Sequence, residues 1–241
     1  MTLSAIPPHA PQAVVASAWA DHAPLRLEDH DVIWDTPSAD ARGSMPLGNG
    51  DIALNAWVEA NGDLLFYIGK TDSWDENSRL LKVGRVRVAL SPNPFLAGGT
   101  FRQQLRLRSA ELVVTATSRE HPQDPVEVRV WVDANRPLIH VTVDSRQPLS
   151  ATASIELWRT VRTPMPTPVF SDIYNECPNP PPTFIDADTV LSNQPDRIGW
   201  YHRNVRSVGP AMTMEFQDLA QAPYTDPLLH RTWGAVITAE H

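Results

Sequence analysis

The sequence SMPLGNGD at residues 44–51 decides the fold, because a short apolar run ends in a Gly-Asn-Gly turn at residues 48–50. Glycine and asparagine adopt the backbone angles of tight turns at little cost, so this stretch predicts the start of a β-hairpin. Two apolar segments follow at residues 52–57 and 64–68, and the Asn61-Gly62 pair between them is a strong hairpin signal. The chain therefore opens its folded part as a series of antiparallel strands.

Most of the remaining chain repeats this pattern of short apolar or alternating segments, separated by Gly, Pro, Asn and Asp. Residues 85–90 (RVRVAL) show the alternation that places apolar side chains on one face of a strand. Helical periodicity is nearly absent, except for a turn or two after Ser73. The pattern predicts an all-β chain, a large antiparallel β-sandwich (super-sandwich) with few short helices. The predicted strands are residues 52–57, 64–68, 85–90, 101–107, 112–116, 126–132, 138–143, 153–158, 189–191, 198–204 and 232–237.

Composition excludes several classes of protein. With 42% hydrophobic residues in 241, the chain is not intrinsically disordered and has enough material for a core. The formal net charge of −8 is scattered, which argues against a general nucleic-acid or anionic-membrane binder. The single cysteine, Cys177, rules out an internal disulfide framework. No apolar run approaches the roughly 20 residues of a membrane span.

The chain divides into two parts. Residues 1–25 are expected to be a flexible, Pro/Ala-rich leader, and residues 26–241 one β-super-sandwich domain. No basic residue precedes Arg26, so we expect no export signal and leave the compartment open. Residues 163–183 form a long Pro-rich excursion. The sequence ends four residues after the predicted strand at residues 232–237, so we expect the domain to be truncated before a further one.

The sequence KTDSWDEN at residues 70–77 carries the densest polar chemistry of the chain. Carboxylates and amides around one tryptophan are typical of a surface that holds a polyhydroxylated ligand such as a sugar. Two carboxylates are the minimum for glycoside hydrolysis, but one short loop rarely opposes them as that reaction requires. Contact with a sugar or a partner is a second interpretation. Ordinary structure is the third, with Lys70–Asp72 as an ion pair and Glu76 completing a helical capping box with Ser73.

A second cluster is the sequence WYHRN at residues 200–204. In a strand, Trp200 and His202 point to one face and Tyr201 and Arg203 to the other. A sugar-binding interpretation uses Trp200 for stacking and His202 or Asn204 for hydroxyl groups. The alternative is a sheet edge with a partly buried histidine bonded to backbone.

The remaining motifs are weaker evidence for a functional site. Glu176, within the Pro-rich excursion, is a candidate for the rim of a site, whereas Cys177 lacks the basic neighbours of a nucleophile. The eight histidines never pair at metal-binding spacing, so we expect no metal site. Gly48-x-Gly50 is half of a dinucleotide fingerprint and precedes a strand, so we expect no nucleotide cofactor.

The stretch of residues 44–90 resembles the N-terminal domain of glycoside hydrolase family 95, the α-L-fucosidase-like enzymes. The resemblance depends on the Pro-Leu-Gly-Asn-Gly turn at residues 46–50 and on the Lys-Thr-Asp-Ser-Trp loop at residues 70–74. The sequence is closer to an uncharacterised N-terminal domain family related to these enzymes, from about residue 30 onward. It differs from the fucosidase pattern at Asp51, where that family has a basic residue, and at Gly69-Lys70, where it has Asn-Glu.

The resemblance implies a non-catalytic β-sandwich domain that packs on a catalytic (α/α)6 barrel absent from this chain. The barrel supplies both catalytic carboxylates, and this domain contributes to the rim of a carbohydrate cleft. A stand-alone carbohydrate-binding module, with Trp74 and Trp200 exposed, is an alternative. A structural scaffold with an exposed apolar patch facing the barrel is another. The candidate rim or interface residues are Asp72, Trp74, Lys70, Glu76, Asn49 and His202.

Overall fold

The computed structural model describes residues 26–96, 98–165, 179, 181–192 and 194–240. Within these ranges the chain is built from fifteen strands, one α-helix and three short 3-10 turns. The strands are β1 (Val32–Trp34), β2 (Met45–Gly48), β3 (Ile52–Val58), β4 (Leu64–Trp74), β5 (Leu80–Ser91), β6 (Gly98–Arg106), β7 (Glu111–Ser118), β8 (Val126–Val132), β9 (Ile139–Asp144), β10 (Ser150–Glu156), β11 (Thr163–Pro164), β12 (Phe184–Ile185), β13 (Thr189–Leu191), β14 (Arg197–Arg203) and β15 (Thr232–Thr238). The helix is α1 (Gly209–Phe216).

Two five-stranded antiparallel sheets form the sandwich, in the orders β1-β6-β7-β8-β9 and β10-β5-β4-β3-β2. Alternation along the strands determines which side chains face inward: in β5, Val86, Val88 and Leu90 are buried while their neighbours are less so. Leu112 and Val130 of the first sheet pack in the same hydrophobic cluster. Each such buried side chain contributes about 1.5–3 kcal/mol, so the shared core stabilises the face-to-face packing.

These findings confirm the predicted all-β sandwich. Each predicted strand lies at one found in the structure, with boundaries that differ by a few residues. β4 is longer than predicted, because it continues to Trp74 with irregular pairing after Gly69. Residues 70–74, expected as a loop, are therefore the outer end of a strand.

A third sheet, β13-β14-β15, packs across the ends of β4 and β5. The Trp200 indole Nε1 donates to the backbone oxygen of Val83 at 3.0 Å. Trp200 and Trp233, from neighbouring strands, extend the core of the sandwich. This packing brings β14, the strand that carries His202, against the end of β4.

Several predicted features concern residues outside the described ranges. The Pro/Ala-rich leader at residues 1–25 is one of them, and so are Glu176 and Cys177 of the Pro-rich excursion. Among the described residues, α1 is eight residues long, and no helix has the length and apolar character needed to cross a membrane.

Candidate functional site

The end of β4 and the turn after it have an exposed side and a buried side. Thr71, Asp72 and Trp74 point outward, and Lys70 lies partly exposed beside them. The inward side chains belong to the residues between and after these, all of them polar. They are fully buried: Ser73, Asp75, Glu76 and Asn77. A polar surface is therefore fastened to the protein by a second set of polar groups directly beneath it.

The exposed side is organised by one ammonium group. Lys70 Nζ lies 2.7 Å from Oδ1 of Asp51 and 3.1 Å from Oδ1 of Asp72. The hydrogen bond from Lys70 holds the pKa of Asp51 below its usual value, and Asp51 and Asp72 raise the pKa of Lys70. Two carboxylates and one ammonium leave a net negative surface with oxygen acceptors, which can accept hydrogen bonds from hydroxyl groups.

Trp74 is held at its backbone and at its ring edge. Its indole Nε1 donates to the carbonyl of Thr71 at 3.1 Å. Its own carbonyl accepts from Asn204 Nδ2 at 3.1 Å and from Trp233 Nε1 at 3.2 Å. The residue remains 37% exposed, so an anchored aromatic ring stands next to the Lys70 cluster.

The predicted helical turn after Ser73 is wrong. The Ser73 hydroxyl lies within hydrogen-bonding distance of the carbonyls of Lys70 and Leu81, at 2.8 and 2.6 Å, inside the sheet. Asp75 instead organises the turn, since its Oδ1 accepts from the backbone amides of Asn77 and Arg79. Glu76 is consequently free of a capping role and points into the protein.

Glu76 is the first of four charged side chains that contact one another in succession inside the protein, and together they form a buried chain of charges. Its Oε2 lies 3.1 Å from His202 Nε2, and His202 Nδ1 lies 3.0 Å from Oδ1 of Asp188. Arg159 Nε donates to the same Asp188 oxygen at 2.8 Å. The exposed fraction of each of these side chains is at most 4%. The other Glu76 oxygen accepts from the backbone amide of Asp186 at 2.9 Å.

The four charged side chains alternate in sign, so that each carboxylate lies next to a cation and the charges cancel. Burial disfavours the imidazolium form of His202, but hydrogen bonds to Asp188 and Glu76 outweigh it and raise its pKa to about 9. Burial alone raises the pKa of Glu76, yet the bonds from His202 and from backbone amides hold it below its ordinary value. At neutral pH both ring nitrogens of His202 therefore donate, each to a carboxylate.

Trp233 covers this buried chain. Its ring stacks on the His202 imidazole with centroids 4.8 Å apart and an interplanar angle of 22°. The Arg159 guanidinium carbon lies 5.0 Å from the Trp233 ring centroid. Two cations thus lie against one aromatic ring, an arrangement that compensates part of their lost hydration.

The second predicted cluster differs from expectation. His202 is wholly buried between two carboxylates, where a partly buried histidine bonded to backbone was expected. Trp200 and His202 do share the inner face of β14, as the strand period predicts. Trp200, however, is only 2% exposed, so the expectation of an exposed stacking ring at this position is wrong. Asn204 is buried and supports Trp74.

Asn49 lies near the Lys70 cluster but has its own partners. Its Oδ1 accepts from the backbone amides of Asp51 and Ile52, both at 2.9 Å. Its Nδ2 donates to the carbonyls of Asp133 and Arg136 in the turn between β8 and β9. The side chain therefore ties the turn between β2 and β3 to the opposite sheet of the sandwich.

Of the six candidate residues, the structure brings Lys70, Asp72 and Trp74 together on one exposed surface. Glu76 and His202 meet beneath it, and Asn49 braces the turn beside it. Sequence reasoning missed Arg159, Asp188 and Trp233, which complete the buried chain. Only the pairing of His202 with Trp233 across β14 and β15 carries a local signal, because both positions lie in predicted strands.

The exposed carboxylates of Asp51 and Asp72 and the ring of Trp74 form a surface that can accept hydrogen bonds and stack on a ligand. Among the residues that the structure describes, no three histidine, cysteine or acidic side chains cluster as metal ligands.

Comparison with known families gives a match that covers most of the chain. The family DUF5703_N, described as "Domain of unknown function (DUF5703)", matches residues 33–241, which is most of the chain. This confirms the resemblance to an uncharacterised N-terminal domain family. Comparison with curated proteins gives no match.

Proposed function

The chain belongs to the DUF5703 N-terminal domain family, and from this premise we propose that it is the non-catalytic β-sandwich domain of a glycoside-hydrolase-like protein. In this proposal the protein acts on carbohydrate and is related to the α-L-fucosidase-like enzymes of family 95. A following (α/α)6 barrel supplies both catalytic carboxylates and packs on this domain. Lys70, Asp72 and Trp74 border the substrate cleft.

One observation carries the proposal: an exposed polar and aromatic surface is built on an immobile support. Sugars are bound by hydrogen bonds to their hydroxyl groups and by stacking of their C–H faces on aromatic rings. Asp72 provides hydrogen-bond acceptors, and Trp74 provides an aromatic ring. The backbone oxygen of Trp74 accepts hydrogen bonds from two side chains, which holds the residue in place. Side chains held this way lose little conformational entropy on binding.

The buried charges beneath the exposed surface fasten this end of β4 to the rest of the protein. The turn after Trp74 is fixed by Asp75, and Glu76 is bound to His202 of the third sheet. Breaking the Glu76–His202 contact would leave buried charges without a partner, which lowers the stability of the fold. A strand end so fastened can serve as a fixed wall of a cleft.

A packing role is supported by apolar residues on the third sheet. Leu191 and Val236 are paired with Gly199 between them, so the two side chains share one face of the sheet. They are 42% and 56% exposed. A purely structural scaffold, the second candidate function, would use this face alone and leave the Lys70 surface without a ligand.

A stand-alone carbohydrate-binding module would need its own stacking platforms. Trp74 fits that role, but Trp200 does not, since its ring is buried and bonded to Val83. The observation therefore favours a rim over a complete module at this surface.

The test is a glycan-array screen followed by calorimetry on the full chain, with Trp74→Ala and Asp72→Ala as variants. We expect weak binding of neutral oligosaccharides that both variants lose, and no hydrolysis of aryl glycosides, 4-nitrophenyl α-L-fucoside included. Trp34→Ala is a matched control, because Trp34 is 42% exposed on β1 of the other sheet.

Loss of binding in both variants, with Trp34→Ala unchanged, supports the proposal. Binding that neither variant alters would contradict the assignment of the ligand to this surface. A folded chain that binds no glycan would favour the scaffold. Turnover by the chain alone would overturn the non-catalytic assignment.

A further inference from the structure

A second surface, separate from the Lys70 cluster, has the form of a small ligand site. It is an open groove of about 360 Å³ where β4 and β5 meet the segment after β10. The groove combines aromatic, aliphatic and cationic side chains. Its lining residues are Tyr67, Leu80, Leu81, Lys82, Trp158 and Arg159.

The aromatic part of the groove is a row of three rings. Trp57 is buried, and its ring centroid lies 5.3 Å from that of Tyr67. Tyr67 in turn meets Trp158 edge to face, with centroids 6.2 Å apart and an interplanar angle of 74°. Trp158, the outermost ring, remains 51% exposed, and the Arg159 guanidinium carbon lies 5.2 Å from its ring centroid. The row therefore begins in the protein and ends in a ring that is partly covered by Arg159 and partly presented to solvent.

The cationic part of the groove is Lys82. Its Nζ lies 4.7 Å from the Tyr67 ring centroid, and no hydrogen bond or ion pair joins it to any residue that the structure describes. The other lysine, Lys70, by contrast has two carboxylate partners. An exposed lysine without a counterion costs little free energy, so its charge alone indicates no function. Lys82, however, lines the same groove as the exposed ring of Trp158.

The remaining charges around the groove are already satisfied. The Arg159 guanidinium is bound to buried Asp188. Arg85, whose guanidinium carbon lies 5.6 Å from the Tyr67 ring centroid, pairs with Glu156. Among the residues that the structure describes, no aspartate or glutamate lines the groove. Of the charged side chains that line the groove, Lys82 is therefore the one whose charge is available to a ligand.

We propose that this groove binds an acidic saccharide, with the sugar ring stacked on Trp158 and a uronate carboxylate bound to Lys82. A flat indole face accepts the C–H groups of a sugar ring, and an ammonium–carboxylate contact is a charge-assisted hydrogen bond. A nucleic acid would need several cations along a track, whereas this groove offers one on a chain of net charge −8. A neutral sugar could accept a hydrogen bond from Lys82 but would leave its charge without a counterion.

This inference goes beyond the proposed function by adding a second site and naming its class of carbohydrate, and it rests on that function for a saccharide ligand. It uses other residues, however. Loss of binding through Lys82 or Trp158 and loss through Asp72 or Trp74 are separate results, so one assignment can fail while the other holds.

The test is calorimetry on the full chain with the trisaccharides of galacturonate, mannuronate and guluronate. Their methyl esters serve as neutral analogues of the same backbone. We expect at least one acid form to bind, its methyl ester to bind much less, and affinity to fall as salt is raised. Lys82→Met should weaken binding about tenfold, as expected for a charged hydrogen bond, and Lys82→Arg should retain most of it. Trp158→Ala should also weaken it about tenfold.

Matched controls are Arg102→Met, an exposed cation on β6 that forms no ion pair with any described residue, and Trp34→Ala. Both should leave the affinity unchanged, and thermal unfolding should show that all variants are folded. The inference is overturned if none of the three acids binds, if the methyl ester binds as well as the acid, or if Lys82→Met has no effect. Equal binding of succinate would overturn the saccharide part. Neutral glycans lost on Trp74→Ala alone would sustain the proposed function without this inference.

Discussion

The imidazole Nε2 of His202 lies 3.1 Å from the carboxylate Oε2 of Glu76, although 126 residues separate them in sequence. This contact joins the third sheet to the outer end of β4. It is almost wholly buried, with exposed fractions of 0% and 1% for the two side chains. Because Asp188 and Arg159 continue the chain of charges, each ion has an opposite neighbour. The exposed Lys70 surface thus depends on a buried ionic contact between distant segments.

Glu76→Gln should destabilise the chain by about 3 kcal/mol, since removing one partner leaves the charged His202 imidazole only partly compensated in the interior. Urea unfolding followed by tryptophan fluorescence measures this. Glu127→Gln is the matched control, because Glu127 pairs with Arg129 on an exposed face and its loss should cost under about 0.5 kcal/mol. Equal effects of the two changes would contradict the structural role of the Glu76–His202 pair.

Stability should depend on pH through the same pair. The pKa of His202 in the folded chain is raised to about 9 from 6.5, so its contribution is complete below pH 6.5 and is lost as pH rises through about 9. The lowered pKa of Glu76 acts in the other direction. Its contribution is present above pH 4.5 and is lost as pH falls through the folded value. The unfolding free energy, measured between pH 4 and 10, should therefore be highest between about pH 4.5 and 6.5 and should decline towards both ends of this range.

The variant His202→Gln provides the check on this pH profile. It should be less stable at pH 6 and should lose the decline between pH 6.5 and 9. A decline of the same size in the variant would assign the alkaline effect to other groups.

Gly234→Ala should destabilise the chain by about 2 kcal/mol or more, because a Cβ there would lie 2.2 Å from the backbone oxygen of Trp200. Backbone atoms cannot move aside as a flexible side chain can, so β15 would shift against β14. Thermal unfolding of the two variants measures this. Gly69→Ala is the matched control, since a Cβ at Gly69 has no atom closer than 3.9 Å. If both variants unfold alike, the close approach of the two strands is not what requires glycine.

Local periodicity was sufficient to predict most strands, because the alternation of β5 or β8 is determined by which face is buried. It predicted the inner face of β14 as well. It did not predict that Trp200 is buried, since that depends on the third sheet packing over Val83. The sequence of a strand indicates that a face is apolar, but not whether another sheet or a ligand covers it.

The error at Ser73 has a similar origin. The Ser-x-x-Glu spacing fits a capping box, but such a motif stabilises a helix by only about 1 kcal/mol. Here the sheet continues through Ser73, and Glu76 binds His202. Helix α1 was missed although Pro210 occupies a position near its start that favours helix initiation. Attention to that signal could have located it.

Asn49→Ala should destabilise the chain by about 2 kcal/mol, because its side chain makes four hydrogen bonds. Two lie within the turn between β2 and β3, and two link that turn to the opposite sheet. Chemical denaturation measures this. Asn135→Ala is the matched control, since Asn135 is exposed in the bonded turn and only its backbone amide bonds there. If Asn49 instead contacts a sugar at the rim, Asn49→Ala would weaken glycan binding with little change in stability. The two measurements therefore separate a brace of the sandwich from a ligand contact.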